Sequence, residues 1–336
     1  MNLSELEQQE FGVLVEQYQP ELLVHCYRLL GSICDAEDMV QEAFLRAWRA
    51  RETFSGKGSL RAWLYKIATN VCLDDLKKST RRYLPRTRAA ASGTEEPIPA
   101  PVMERIWLEP FPDDLLIIDE HNPEKYLIEQ ESIRLAFIAA LHVLPPRQRA
   151  VLILRDVLDW PAKEVAALMD TSVSAVKSAL HRARATMAEQ NTPAHAHSLD
   201  DNTQSLLDNY IHAWETADAN ALVQLLTEDA TFSMPPIPAW YQGRTTIGEL
   251  VSRTVFSGKS QGRWLLFPVR ANRQPAFGLY RQTEVAGVYS AYGIQVIVAQ
   301  GGFIADVISF NEVTLFPYFD LPPILNRDLI MRNRGN

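Results

Sequence analysis

Residues 54–82 read FSGKGSLRAWLYKIATNVCLDDLKKSTRR. A Gly/Ser loop, Ser55 to Ser59, opens the stretch. Apolar residues then recur at Leu60, Leu64, Ile67, Ala68, Val71 and Leu76, close to helical spacing, so one side of a helix faces a core. The other side carries Lys66, Asn70, Lys77 and Arg81. The loop and first turn add Phe54, Lys57, Arg61 and Trp63. Cations beside aromatic rings suit an unpaired nucleic-acid strand: phosphates meet Lys and Arg, and bases stack or are captured when flipped out. Taken by itself, the same face reads first as a solvated helix surface. Its neighbours decide between the two.

The chain of 336 residues predicts two or three domains. Hydrophobic residues at 47% and charged residues at 22% are ordinary for globular protein and supply several cores. No apolar run is long enough for a membrane span, and MNLSELEQQEFG does not read as a signal peptide. Cys26, Cys34 and Cys72 have no CxxC spacing; they read as core thiols of a cytoplasmic protein. His195 and His197 lie in a polar stretch and read as solvated. No metal or other cofactor is expected.

The net charge of −8 conceals an alternation. Residues 1–45 hold nine acids and one base; residues 46–88 hold twelve bases and three acids. Residues 89–131 return to eleven acids and two bases; residues 132–199 hold eight bases and five acids. An acidic average therefore does not exclude nucleic acid, because charge clustered by segment is the relevant footprint.

Residues 5–30 and 35–50 read as amphipathic helices. Gly31 ends the first, and Asp35 is a plausible N-cap of the second. The second, DAEDMVQEAFLRAWRA, turns Val40, Ala43, Phe44, Ala47 and Trp48 inward. Its outer face is acidic and amide-bearing: Asp35, Asp38, Gln41 and Glu42, with Leu45. DAEDMVQEAFLRAW followed by FSGKGSLRAWLYKIATNVCLDDLKK resembles the second domain of the extracytoplasmic-function (ECF) sigma factors of the sigma-70 family. The resemblance implies that the Asp35–Trp48 helix docks on the β′ clamp helices of RNA polymerase core, with the β subunit a further partner. It also implies that Phe54–Arg82 melts and reads the minus-10 element of promoter DNA. Asp74 and Asp75 interrupt the basic face, and Asp74 is expected to serve helix packing.

Residues 85–130 are acidic and rich in proline, which predicts an extended linker without its own core. Within it, Ile106 to Leu116 mixes bulky apolar with acidic side chains, so this piece is expected to dock. The resemblance suggests the polymerase cleft; packing on the protein's own domains is the competing reading.

Residues 131–190 are helical. Pro161–Met169 reads as a short helix with proline at its start, Asp170-Thr171-Ser172 as a turn, and Val173–Met187 as a longer helix with Val176, Leu180 and Ala183 inward. This is a helix-turn-helix, whose second helix enters the major groove. EVAALMDTSVSAVKSALHRARATM resembles the fourth domain of the same sigma factors. That implies minus-35 binding through Thr171, Ser172, Ser174, Lys177, Ser178, His181, Arg182 and Arg184. Asp170 stands where glycine is usual, Ala175 where a hydroxyl is common and Ala179 where arginine is frequent.

Residues 191–203 read as a second linker and 204–330 as a separate domain. Helical stripes come first, around Leu206–Trp214, Ala219–Leu226 and Thr245–Phe256. Strands follow at Trp264–Val269, Ala276–Arg281, Val288–Val298 and Phe303–Phe310. This order predicts α+β with an antiparallel sheet. YIHAWETADANALVQLLTEDATFSMPP and WYQGRTTIGEL resemble SnoaL-like domains, of the nuclear-transport-factor-2-like superfamily. They imply a cone with a curved antiparallel sheet around a cavity, with Tyr210, Trp214, Met234, Trp240 and Trp264 as candidate lining and an unknown small molecule as a conceivable ligand. The tail Leu315–Pro323 is either a latch onto the helical domains or a cover for its own core.

The chain thus reads as multidomain: a sigma domain 2 at 5–84, a linker, a sigma domain 4 at 131–190 and a SnoaL-like regulatory domain, acting as a promoter-specific initiation factor modulated by its C-terminal domain. The alternative is a bifunctional factor with an isomerase- or cyclase-like C-terminal enzyme. Its acid–base candidates are Tyr210, His212, Glu215, Asp229, Tyr280 and Asp306, which no spacing assembles into a constellation.

Overall fold

The computed structural model describes residues 12–13, 15–54, 59–78, 82–87, 89–116, 128, 130–190, 201–258 and 261–326. Its contacts divide it into two compact units. The helical unit takes in the described parts of Met1–Tyr83, Arg105–Phe111 and Leu115–Pro193. The sheet unit takes in those of Leu84–Glu104, Pro112–Asp114 and Ala194–Asn336.

In the helical unit, where the apolar stripe predicts one helix, a turn at residues 17–18 separates helical residues 12–13 and 15–16 from α1 (Gln19–Leu30), which has Pro20 in its first turn. Proline lacks the N–H that an inner turn would need, so it sits where that donor is unpaired anyway. Gly31 closes α1 at φ 71°. A side chain there would be strained twice over, since a Cβ would also lie 2.4 Å from Leu108 and 2.8 Å from the His142 ring. Helix α2 (Ile33–Ala50) is capped by Ser32, whose hydroxyl accepts from Asp35 N, so Asp35 belongs to the first turn and is not the cap. Helix α3 (Leu60–Asp75) follows. Leu22, Cys26, Leu29, Ala36, Val40, Ala43, Leu64, Ala68, Val71 and Cys72 are buried among α1–α3. The three cysteines are free thiols.

Helices α4 (Leu135–Leu141) and α5 (Pro146–Leu152) precede a wide π turn, Ile153–Val157, where the sequence predicts one uninterrupted helix. Helices α6 (Ala162–Leu168) and α7 (Val173–Glu189) form the helix-turn-helix. Asp170 between them adopts φ 48°, the left-handed conformation in which glycine is favoured. Arg149 of α5, only 2% exposed, donates to Leu141 O at 3.1 Å, to Leu144 O at 3.3 Å and to Leu29 O of α1.

His25 on α1 is fully buried, with Nε2 2.8 Å from Thr69 Oγ1 of α3. Burial, then the charges of Arg28 and Arg61, lower its pKa from 6.5 to about 3. The unfolded chain binds this proton below pH 6.5 and the folded chain does not, so this contribution to stability is complete above pH 6.5 and falls as pH drops. Between pH 7 and pH 5 the helical unit should lose about 2 kcal/mol through His25. Urea unfolding at both pH values should give a smaller pH-dependent loss for His25→Gln than for the parent; equal losses would contradict the assignment.

In the sheet unit, α8 (Asp201–Thr216), α9 (Ala219–Leu225) and α10 (Arg244–Arg253) accompany seven strands. The strands are β1 (Leu226–Ser233), β2 (Trp240–Gln242), β3 (Trp264–Ala271), β4 (Gln274–Gln282), β5 (Val288–Gln300), β6 (Phe303–Phe310) and β7 (Ile324–Asn326). Their order is β2-β1-β6-β5-β4-β3, with β7 paired to β5. The pairing is antiparallel except between β1 and β6, which run parallel. One sheet face packs on the helices through Phe232, Leu266, Phe277, Leu279, Ile297 and Val307.

The opposite face is covered by the tail. Phe316 meets the Tyr280 ring at 5.2 Å, Tyr280 Oη donates to Pro322 O at 2.9 Å, and Leu321 fills the space over Gly278. Of the two readings of the tail, closure of its own domain is the one observed.

The described parts of the acidic, proline-rich segment pack on the protein itself and are not a bare tether. In the helical unit, Ile106, Trp107, Leu108 and Phe111 are buried. Glu109 Oε2 accepts from Ser32 Oγ at 2.8 Å, Ile33 N at 3.0 Å and Cys34 N at 3.4 Å. A carboxylate thereby meets the unpaired N–H groups at the start of α2. In the sheet unit, Asp113 accepts from Arg270 Nε at 3.1 Å and Arg273 N at 2.7 Å.

Candidate nucleic-acid and polymerase interface

Helix α2 presents Asp38, Gln41 and Leu45 exposed, with Glu42 half-buried and paired to Arg46 at 2.7 Å. These four positions fall on one side of the helix. Asp35, grouped with them in the sequence, is only 12% exposed and is paired with Arg82 and, at 3.3 Å, with Arg105. It braces the start of α2 against the chain that returns through residues 105–111.

On α3, Arg61 pairs with Glu21 at 2.7 Å and lies over the rings of Tyr65 and Trp160, at 5.0 and 5.8 Å. Trp63 and Phe54 place their rings 5.3 Å apart. Asn70 is half-buried, while Lys77 is exposed and pairs with Asp74 at 2.9 Å. Asp74 also reaches Arg46 of α2 at 3.5 Å, a packing contact between helices. Lys57 and Arg81 lie outside the described residues, as do His195 and His197.

On the helix-turn-helix, Thr171, Ser172, Ser174, Lys177, Ser178, His181 and Arg182 are exposed. Ser172 caps α7 by accepting from Ala175 N at 3.1 Å. Arg184 is committed to Asp156 through two hydrogen bonds of 2.7 and 2.8 Å.

Helix α3 and the helix-turn-helix touch. Lys66 Nζ of α3 lies 2.7 Å from Asp170 Oδ1 in the helix-turn-helix turn. The Tyr65 ring stands 5.1 Å from Trp160, just before α6. Arg28 donates to Ser132 Oγ at 2.8 Å, and Arg149 reaches Leu29 O from the other side. No spacing in the sequence signals these pairs, which join residues a hundred positions apart.

The models for sigma-70 region 2 and sigma-70 region 4 match residues 14–82 and 134–187. Over 320 residues the chain is 42% identical to the ECF RNA polymerase sigma factor SigG of Mycobacterium tuberculosis, covering 94% of this chain and 85% of that protein. The chain belongs to the ECF sigma factors. An ECF sigma factor binds core RNA polymerase and promoter DNA and directs promoter-specific initiation. The ECF RNA polymerase sigma-E factor of Escherichia coli is 30% identical over 178 residues, 53% of this chain and 84% of that one. The crystal structure of the Mycobacterium tuberculosis ECF sigma factor SigJ shares the fold, with a TM-score of 0.57 at 23% identity over 92% of this chain and 100% of that one. The sheet unit is the α+β part of this ECF factor, with a mostly antiparallel sheet.

In that part, Tyr210, Trp214 and Trp264 are buried in the core, where Trp214 meets the Trp264 ring edge-on at 5.8 Å. Met234 packs against the same cluster. Trp240 is half-exposed, and its indole N–H donates to Ala89 O at 2.8 Å. The acid–base candidates are scattered. His212 and Asp229 are exposed, Tyr210 Oη donates to Gln295 at 3.0 Å, and Asp306 is tied to Thr231 and Arg86. Among the described residues no cluster of His, Cys, Asp and Glu is arranged to hold a metal ion. Among them, too, no helix is long and apolar enough to cross a membrane.

Proposed function

We propose that initiation by this factor divides as follows. Asp38, Gln41, Glu42 and Leu45 of α2 dock on the β′ clamp helices, while Asp35 acts as a brace. Phe54, Lys57, Arg61, Trp63, Lys66, Asn70, Lys77 and Arg81 engage the minus-10 strand. Thr171, Ser172, Ser174, Lys177, Ser178, His181 and Arg182 face the minus-35 groove, with Arg184 orienting α7 through Asp156. The C-terminal domain modulates the sigma part without turnover; its aromatic residues serve packing and its acid–base groups do not converge.

The observation that carries this reading is the Lys66–Asp170 contact of 2.7 Å, which sets the two proposed DNA-reading pieces side by side. Elements 25 base pairs apart are separated by about 85 Å of duplex. One molecule cannot keep that contact while occupying both, so the helical unit is a closed form that opens on the polymerase. Residues 84–131 could span roughly 160 Å when extended, enough to permit it.

Run-off transcription with core enzyme tests the assignment. The protein with core should give promoter-specific transcripts. Arg182→Ala should weaken binding of the holoenzyme to promoter DNA and reduce the slope of log affinity against log salt by about one unit, as loss of one phosphate contact requires. An unchanged affinity and slope would move the recognition surface elsewhere.

A further inference from the structure

Within the sheet unit, the described part of residues 84–104 makes a buried ion pair with the strands. Asp306 on β6 is 5% exposed. It pairs in register with Thr231 on the parallel strand β1, and Thr231 Oγ1 donates to Asp306 Oδ1 at 2.5 Å. Their successors in sequence, Val307 and Phe232, face the helices. Alternation along a strand therefore turns Asp306 and Thr231 to the opposite face. There Arg86 Nη1 donates to Asp306 Oδ2 at 2.6 Å. The Arg86 side chain remains 33% exposed while that of Asp306 is 7% exposed, so the anion is the floor of a recess and the guanidinium enters from the solvent side.

The other hydrogen bonds described for this stretch use backbone or exposed groups, while Leu84 and Pro85 next to Arg86 are buried. Ser92 N donates to Trp240 O at 2.8 Å and Val102 N to Pro236 O at 2.9 Å. Arg253 donates to Thr94 O at 2.7 Å, and Thr94 Oγ1 to Glu249 at 2.9 Å. Such contacts exchange readily with water. A buried carboxylate does not: without a cation it keeps its full desolvation penalty. Burial pushes the Asp306 carboxyl above the usual range, and Arg86 draws it back.

We infer that Asp306 and Thr231 form a guanidinium-binding socket, that Arg86 is its resident ligand, and that this socket fixes residues 84–104 on the C-terminal domain. The socket accepts an arginine side chain or a small guanidinium compound. A partner that draws this segment away must leave Asp306 with another cation or a proton. The binding stands by itself; its consequence for transcription rests on the proposed modulation by the C-terminal domain.

Hydrogen exchange on the full-length protein tests it, read at Ser92 N and Val102 N. Arg86→Ala should speed exchange at both by at least tenfold and leave the β5–β6 amides unchanged. Methylguanidinium at millimolar concentration should bind Arg86→Ala, read by titration calorimetry, and leave exchange at Ser92 N and Val102 N fast, because a free cation fills the socket without tethering the segment. It should not bind Arg86→Ala/Asp306→Asn, where no buried charge is left unpaired and the fold is retained. Unchanged exchange in Arg86→Ala overturns the inference, and so does equal binding of methylguanidinium to the single and double variants. If exchange responds as expected but run-off transcription by Arg86→Ala matches the parent, the socket stands and the modulatory reading falls.

Discussion

Replacing Asp38 and Glu42 together by lysine lowers the affinity for core RNA polymerase by roughly 100-fold, because like charges brought together across an interface cost several kcal/mol. The expectation needs the acidic face of α2 to meet a basic partner surface. Asp38 is exposed, and Glu42 makes only a surface pair with Arg46, which contributes little to the fold. The double variant should therefore unfold like the parent. Asp35→Lys is the contrasting case. Its carboxylate neutralises Arg82, whose side chain is 7% exposed, so reversal leaves two buried cations together and destabilises the helical unit. Pull-down against core enzyme, with circular dichroism on each variant, separates the two. Undiminished core binding by Asp38→Lys/Glu42→Lys would remove α2 from the docking surface.

Arg149→Met should destabilise the helical unit by about 3 kcal/mol or more. Methionine fills much of the arginine volume but donates no hydrogen bond. Leu29 O and Leu144 O then lose a partner in a buried setting, at about 1–3 kcal/mol for each group left unsatisfied, while Leu141 O keeps the bond from Leu144 N at 3.0 Å. Leu29 belongs to α1 and Arg149 to α5, so the loss also loosens the closed arrangement. Arg149→Lys should recover part of the stability, since an ammonium reaches fewer carbonyls than the guanidinium fork. Denaturant unfolding measures both. A change below about 1 kcal/mol for Arg149→Met would show that water replaces the side chain at these carbonyls.

The sequence revealed what repeats locally. Apolar periodicity located α2, α3 and α7, and the short-helix, turn, long-helix pattern identified the helix-turn-helix. The oddity at Asp170 pointed to a left-handed residue, and φ 48° is what the turn adopts. Some misses had a local signal. Ser32-Ile33-Cys34-Asp35 is an [ST]-x-x-[DE] cap pattern that names Ser32 as the cap. Pro20 marked the break that precedes α1. Other misses had none. Strands β2 and β7 are three residues each, too short for a period. Glu109 meets α2 across 76 positions and Arg86 meets Asp306 across 220, and nothing in their neighbours names the partner. Thus the acidic, proline-rich stretch read as a linker with a docking piece at Ile106 to Leu116, but the partners of its charged anchors, Arg86, Glu109 and Asp113, were not legible. The aromatic residues assigned to a cavity illustrate a second limit: composition locates large rings but not whether they face a space or one another.

Opening of the helical unit is tested most directly by a distance. Dyes placed at Lys78→Cys beyond α3 and Lys163→Cys on α6, in a Cys34→Ser background that leaves only buried native thiols, report the separation of the two DNA-reading pieces. Energy transfer should be high in the free protein, where Lys66 and Asp170 are 2.7 Å apart. In the promoter complex with core enzyme it should fall to a separation longer by tens of ångströms, as elements about 85 Å apart demand. A complex that makes transcript while the labels stay at their free-protein distance would contradict the account.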